Sequence, residues 1–179
     1  MIIRPARDSD VAAVAAIYGH HVLNSTGTFE ETPPSDGEIA ARIAAVAALR
    51  LPYLVAEDDG GRLTGFAYAS AFRPRPAYRY TAEDSVYIRP DCMGRGIGKA
   101  LVAEVIDVCA ALGVRQMIAV IGDSANAGSI GLHRALGFED AGVGRAFGFK
   151  FGRWVDVVWM QKTLGPGSNA PPMGQGLAL

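Results

Sequence analysis

The chain has 179 residues, half of them hydrophobic and a fifth charged, with a formal net charge of −1. That composition suits one soluble globular domain large enough to bury a core. The near-neutral charge excludes a general electrostatic pull toward nucleic acid or an anionic membrane.

The opening residues hold no apolar segment of signal-peptide length, and no run approaches the roughly 20 residues of a membrane span. Ile2–Arg4 reads as a short strand. Asp8, Ser9 or Asp10 can cap a helix bearing Val11, Val14, Ile17 and Tyr18. Thr26 to Gly37 is a polar loop. Ser35 and Glu38 form a capping box for an Ala-rich helix with Ile39, Ile43, Val46 and Leu49 inward. After Pro52, Tyr53–Ala56 begins a strand, Asp58–Gly61 is a hairpin turn, and Leu63–Phe72 pairs back. Arg73 to Ala77 is a basic loop, and Tyr80–Ile88 is a long strand.

Three glycines follow (Gly94, Gly96, Gly98) and open a helix that runs to about Leu112, where Gly113 is a natural stop. Gln116–Ile121 is a strand. Asn126–Leu136 is a short helix ended by Gly137, Phe138 and Glu139 start another strand, and Val155–Lys162 is the last. Hairpins mixed with strand–helix units predict an α+β fold with a mixed, mostly antiparallel sheet flanked by helices. Residues 1–164 form one domain in this reading, and the Gly/Pro-rich stretch 165–179 is a flexible tail. Cys92 and Cys109 are too few for a disulfide framework and lack metal-ligand spacing. No metal is expected, and a reducing cytoplasm is the expected compartment.

Strand, glycine loop and helix start together make a phosphate cradle, because the first-turn N–H groups are unpaired and the helix dipole favours negative charge. A P-loop fails here: Met93 sits where the first glycine belongs and Ala100 replaces Ser or Thr. A dinucleotide turn fails too, since Lys99 takes the place of the third glycine. An ordinary glycine-rich turn is the plain alternative. Met93-Gly94-Arg95-Gly96-Ile97-Gly98 resembles the acetyl-CoA loop [QR]-x-x-G-x-[GA] of the GNAT acetyltransferases, departing at Met93. Ser129–Phe138 is similar to that superfamily's second signature, and Asn126, Ser129, Ile130 and His133 fall on one helix face. A helix cap is the bland reading of Asn126, and a buried or surface histidine that of His133.

The stretches 72–87, 119–122 and 148–156 resemble phosphinothricin acetyltransferases and their relatives acting on methionine sulfoximine and methionine sulfone. The likeness covers roughly residues 2 to 163. It implies a GNAT-like fold with acetyl-CoA as cosubstrate, its cofactor contacts made by Val86, Tyr87 and Ile88, by Met93 to Lys99 (Arg95 included), and by Asn126 and Ser129. Glu83, in a Thr-x-Glu motif, becomes the general base, and Asp84 points to the opposite face and serves as a control. His133 stands near the place of the superfamily's thiolate acid and is read as donating to the sulfur. Arg75 and Tyr78 match the family motif for the acceptor site, Arg73 and Arg79 extend the basic cluster, and Phe29 lines the pocket. Lys150 and Trp154 resemble part of the subunit contact of homodimeric relatives.

The expected function is acetyl transfer to the α-amine of a small amino-acid-like substrate, with no nucleic-acid or membrane partner. Another amine acceptor (a peptide N-terminus or polyamine) is the alternative within the enzyme class. A catalytically silent acyl-CoA-binding sensor is the alternative outside it.

Overall fold

A computed structural model describes residues 1–179. Seven strands form one sheet in the order β1-β2-β3-β4-β5-β7-β6. They are β1 Ile2–Pro5, β2 Tyr53–Glu57, β3 Leu63–Ala71, β4 Thr81–Ile88, β5 Gln116–Gly122, β6 Glu139–Lys150 and β7 Arg153–Thr163. Every pairing is antiparallel except β4 with β5. The sheet is therefore mixed and mostly antiparallel, as the hairpins in the sequence predict.

Helices α1 (Val11–Asn24) and α2 (Asp36–Ala48) cover one face, and α3 (Ile97–Ala111) and α4 (Ala127–Ala135) lie on the other. Residues 14, 17, 18, 21 and 22 of α1 are buried, the spacing of one helical stripe. Alternation along β4 does the same for the sheet. Tyr87 packs edge-on against Tyr18 of α1, with ring centroids 4.9 Å apart. Ile88, one residue on, lies under α3. Leu101, Val102, Val105 and Cys109 of α3 complete the core on that side.

The helix caps follow local chemistry. Ser35 Oγ accepts from the Glu38 N–H at 3.3 Å while Glu38 Oε2 accepts from the Ser35 N–H at 2.7 Å, closing the predicted capping box of α2. The N-terminus of α1 differs from expectation. No side chain of Asp8, Ser9 or Asp10 caps it. Asp10 instead accepts from the Arg7 N–H and from Arg4, which also pairs with Glu57. A partly buried guanidinium on β1 draws two carboxylates, Asp10 among them, away from the helix end.

β6 and β7 form a longer hairpin than the sequence suggests, turning through Phe151 and Gly152, both at positive φ. Residues 165–179 hold no helix or strand. They lie along the start of β4: Leu177 is buried, its N–H donates to the Arg79 carbonyl at 2.8 Å, and the Tyr80 hydroxyl donates to the Gly174 carbonyl at 2.6 Å.

Candidate active site

The site begins where two strands part. β4 and β5 pair from Thr81/Gln116 to Asp84/Ala119 and no further. β4 continues along β3 as far as Ile88, opposite Gly65, and β5 continues along β7 as far as Gly122, opposite Val157. Residues 85–88 and 120–122 thus face each other across a gap, with backbone groups that the sheet leaves unpaired. His21 Nε2 donates to the Ile88 carbonyl at 2.8 Å and ties α1 to the end of β4. Burial holds that imidazole below its ordinary range, so it stays neutral there.

The gap opens into a cleft of about 780 Å³. Val86, Tyr87 and Ile88 form one wall, and Met93, Gly94, Gly96, Ile97, Gly98 and Lys99 form the floor. Asn126, Ser129 and His133 line the α4 side. Twelve of the residues expected around acetyl-CoA and its thioester are therefore brought together. Arg95 is the exception: it does not line the cleft, and its guanidinium folds back onto the Asp91 carbonyl at 2.9 Å. Met93 is half exposed at the rim, so its side chain blocks nothing.

The three glycines do different things. Gly94 and Gly96 adopt φ of 73° and 78°, and a Cβ on either would meet open space, so they serve the turn. Gly98 has ordinary φ but sits where a Cβ would come within 2.8 Å of Leu132 Cδ1, so it lets α3 approach α4. No side chain caps the first turn of α3 and no acidic residue stands in it. Its N–H groups and dipole remain free for an anion, as a pyrophosphate requires. Asn126 caps α4, its Oδ1 accepting from the Ser129 N–H at 3.1 Å. That bond leaves its side-chain amide, 3.4 Å from the Gly122 carbonyl, facing the cleft wall.

Glu83 lies outside this cleft, on the α1–α2 face of β4, with Ser70 opposite it on β3 and Ile118 on β5. Burial pushes its carboxyl up, the charge of Asp84 adds to this, and Arg73 opposes it. A second cavity of about 250 Å³ opens on the same face, lined by Tyr18, Arg42, Tyr53, Tyr68 and Ser70 among others. The Tyr18 hydroxyl donates to Glu30 Oε1 at 2.8 Å, and Arg42 holds the same carboxylate through both nitrogens. Sequence reasoning missed this aromatic and charged group. Its members come from α1, α2, β2 and β3, and only Tyr68 and Ser70 share a strand with period-two spacing.

Of the acceptor residues named from the sequence, Arg73, Arg75, Tyr78 and Arg79 lie on the β3–β4 connection and Phe29 lies elsewhere, against β5 and β6. Arg75 and Tyr78 are exposed, and Tyr78 packs edge-on to Phe72. Arg73 stacks over the Phe72 ring with its carbon 4.5 Å from the centroid. Arg79 stacks over Tyr80 and donates to the Pro76 carbonyl. Phe29 lies across Gly148 and Gly122, where added Cβ atoms would strike its ring at 2.3 and 3.1 Å. Lys150 departs from its expected place at a subunit contact. It is 3% exposed, and Nζ donates to the Ser25 and Thr28 carbonyls at 2.9 and 2.7 Å. The lysine anchors the loop that carries Phe29.

His133 departs in the same way. Its Nδ1 is 2.8 Å from the Ser129 carbonyl and its Nε2 is 3.0 Å from Asp84 Oδ2. Both nitrogens are engaged inside the protein, and no N–H is free to reach a sulfur. Asp84, expected as an inert control, is buried and lines the cleft.

Residues 3–159 match the family model of an acetyltransferase (GNAT) domain. The chain is 53% identical to a phosphinothricin N-acetyltransferase of Alcaligenes faecalis, over 95% of this chain and 86% of that protein. It is 42% identical to an L-methionine sulfoximine/L-methionine sulfone acetyltransferase of Pseudomonas paraeruginosa, over 94% of this chain and 98% of that one. The crystal structure of a phosphinothricin acetyltransferase from Sinorhizobium meliloti in complex with acetyl-CoA superposes with a TM-score of 0.95 at 49% identity, over 98% of this chain and 94% of that one.

Proposed function

The chain belongs to the GNAT acetyltransferase family, and we propose that its acceptor is the α-amine of a small amino-acid-like molecule of the phosphinothricin, methionine sulfoximine or methionine sulfone type. It is an acetyl-CoA-dependent N-acetyltransferase. The observation that carries the reading is the parting of β4 and β5 directly after Glu83 and Asp84. One strand presents a carboxylate to one face and free backbone to a long cleft.

In this reading the free N–H groups of the α3 first turn, with Gly94 and Gly96, hold the pyrophosphate of acetyl-CoA. The backbone of Val86–Ile88 holds its pantetheine arm and polarises the thioester oxygen. Acetyl-CoA supplies an activated acetyl group there. Glu83 removes a proton from the acceptor ammonium, directly or through one water, and its burial suits it to that task. Arg75, aided by Arg73, takes the acceptor's acidic group, for which a guanidinium offers paired donors.

Two further parts of the proposal concern assembly and compartment. Phe147, Phe149, Phe151 and Trp154 on the β6–β7 hairpin are more than half exposed, and β6 is one of the sheet's two edges. An aromatic edge of this kind favours a second copy of the chain as its cover. Two buried free thiols suit a reducing cytoplasm. The function is tested by thiol release from acetyl-CoA across a panel of amino-acid sulfones, sulfoximines, phosphinates, polyamines and peptides. Turnover confined to polyamines or peptides would replace the proposed acceptor.

A further inference from the structure

Asp84 is the last residue of β4 bonded to β5 before the strands part. Its carboxylate is buried, and Oδ2 lies 3.0 Å from His133 Nε2, on the helix that walls the other side of the cleft. Oδ1 has no hydrogen-bond partner. Across the ring, Nδ1 faces the Ser129 carbonyl at 2.8 Å. A carbonyl only accepts, so Nδ1 carries a hydrogen. The Nε2–Oδ2 contact then needs a proton of its own, because a bare nitrogen lone pair would face a carboxylate oxygen.

We propose that Asp84 is a positioning residue for acetyl transfer: the proton it shares with His133 pins α4 across the base of the splayed strands and so sets the part of the cleft that takes the thioester end of acetyl-CoA. The inference rests on the reading that this cleft holds acetyl-CoA. Placement is the first argument for it. The pair bridges β4 and α4 at the point where the cleft begins, and both residues line it. Energetics is the second. A buried ionisable pair is a poor device for stability alone, since apolar side chains of similar volume do as well or better. Here one carboxylate oxygen is even left unpaired.

The surroundings make the shared proton a single switchable element. The titratable groups facing the pair are Cys109 on α3, whose thiol is pushed up to about 12 by burial and the Asp84 charge, and Glu83 on the far face of β4. Phe138 offers only its ring, 5.0 Å from the imidazole and edge-on. Burial works against a charged imidazole, but the Asp84 bond and charge and the Ser129 carbonyl outweigh it and hold His133 above its ordinary range. Loss of that proton at high pH sets lone pair against carboxylate and releases α4.

The test measures acetyl-CoA affinity by calorimetry from the ordinary imidazole value of about 6.5 upward in pH, with imidazole ¹⁵N shifts recorded on the same samples to locate the loss of the shared proton. In the unaltered protein affinity falls by about tenfold or more as the shared proton leaves, one unit's worth of linkage. Asp84→Asn donates its amide to a permanently neutral Nε2, so its affinity no longer varies over that range and Nε2 stays unprotonated throughout. Should that variant not fold, His133→Gln removes the titrating ring and flattens the same profile. An Asp84→Asn or His133→Gln protein that keeps the original pH dependence overturns the role given to Asp84. So does an unaltered protein in which Nε2 is bare below the ordinary imidazole value of about 6.5. An unaltered protein that does not bind acetyl-CoA at any pH overturns the reading of the cleft itself.

Discussion

Glu83 and His133 are both buried ionisable groups, yet they titrate with opposite consequences. Glu83 is raised by burial and by the Asp84 charge, and the proposed base works only when ionised. The acid limb of kcat/KM therefore lies above the ordinary glutamate value of about 4.3, and activity is lost as pH falls through it. Glu83→Gln keeps acetyl-CoA affinity and loses turnover by about a hundredfold or more, the usual scale for a general base; unchanged turnover removes Glu83 from the chemistry. His133 is raised in the folded state, so its contribution to stability is complete below about 6.5 and lost as pH rises through the folded value. Denaturant midpoints of the unaltered protein should fall over that range, and those of His133→Gln should not. The face of β4 on which Glu83 lies was legible from strand alternation. Asp84 was not, since its partner lies 49 residues away on another element and no local period links them.

Gly98 and Gly122 are two of the glycines at which elements meet closely, and the structure ranks them. A Cβ on Gly98 would press on the mobile end of Leu132 at 2.8 Å, whereas one on Gly122 would overlap the Thr26 carbonyl oxygen at 1.9 Å. A side chain can turn away and a backbone cannot without moving its loop. Gly122→Ala should cost about 1–3 kcal/mol as an overpacking substitution and Gly98→Ala clearly less, read from denaturant unfolding. The same loop is pinned by Lys150. Lys150→Met leaves the Ser25 and Thr28 carbonyls without their donor, at about 1–3 kcal/mol for each group left buried and unpaired. It should also raise the KM of the acceptor more than that of acetyl-CoA, because Phe29 rides on this loop. Helix and strand positions were legible from period and caps. The loop anchors were not: a lysine at the end of β6 beside Phe149 and Phe151 reads as surface, and only the tertiary fold shows it turned inward. The cap of α1 failed for a related reason, since Arg4 on a neighbouring strand claims Asp10.

At the scale of the molecule, the mixed, mostly antiparallel character of the sheet follows from the β2–β3 turn and the β4–α3–β5 crossover, both visible as sequence punctuation, whereas β1 beside β2 and β7 between β5 and β6 carry no local mark. The depth of the splay is not visible there, because it depends on where β4–β5 pairing stops. The aromatic hairpin edge predicts a dimer in solution: light scattering should give about twice the 18.8 kDa of one chain, and Trp154→Glu should shift it toward the monomer. A monomeric unaltered protein contradicts that assembly. The acceptor is the larger question, and one measurement addresses it most directly. Thiol release from acetyl-CoA is followed with phosphinothricin, methionine sulfoximine and methionine sulfone beside polyamines and short peptides, in the unaltered protein and in Glu83→Gln. The account predicts a kcat/KM for the amino-acid-like acceptors at least about tenfold above the cationic ones, the worth of one good charge-assisted contact, and its loss in Glu83→Gln. Equal or greater turnover of polyamines, or undiminished turnover in Glu83→Gln, would contradict it.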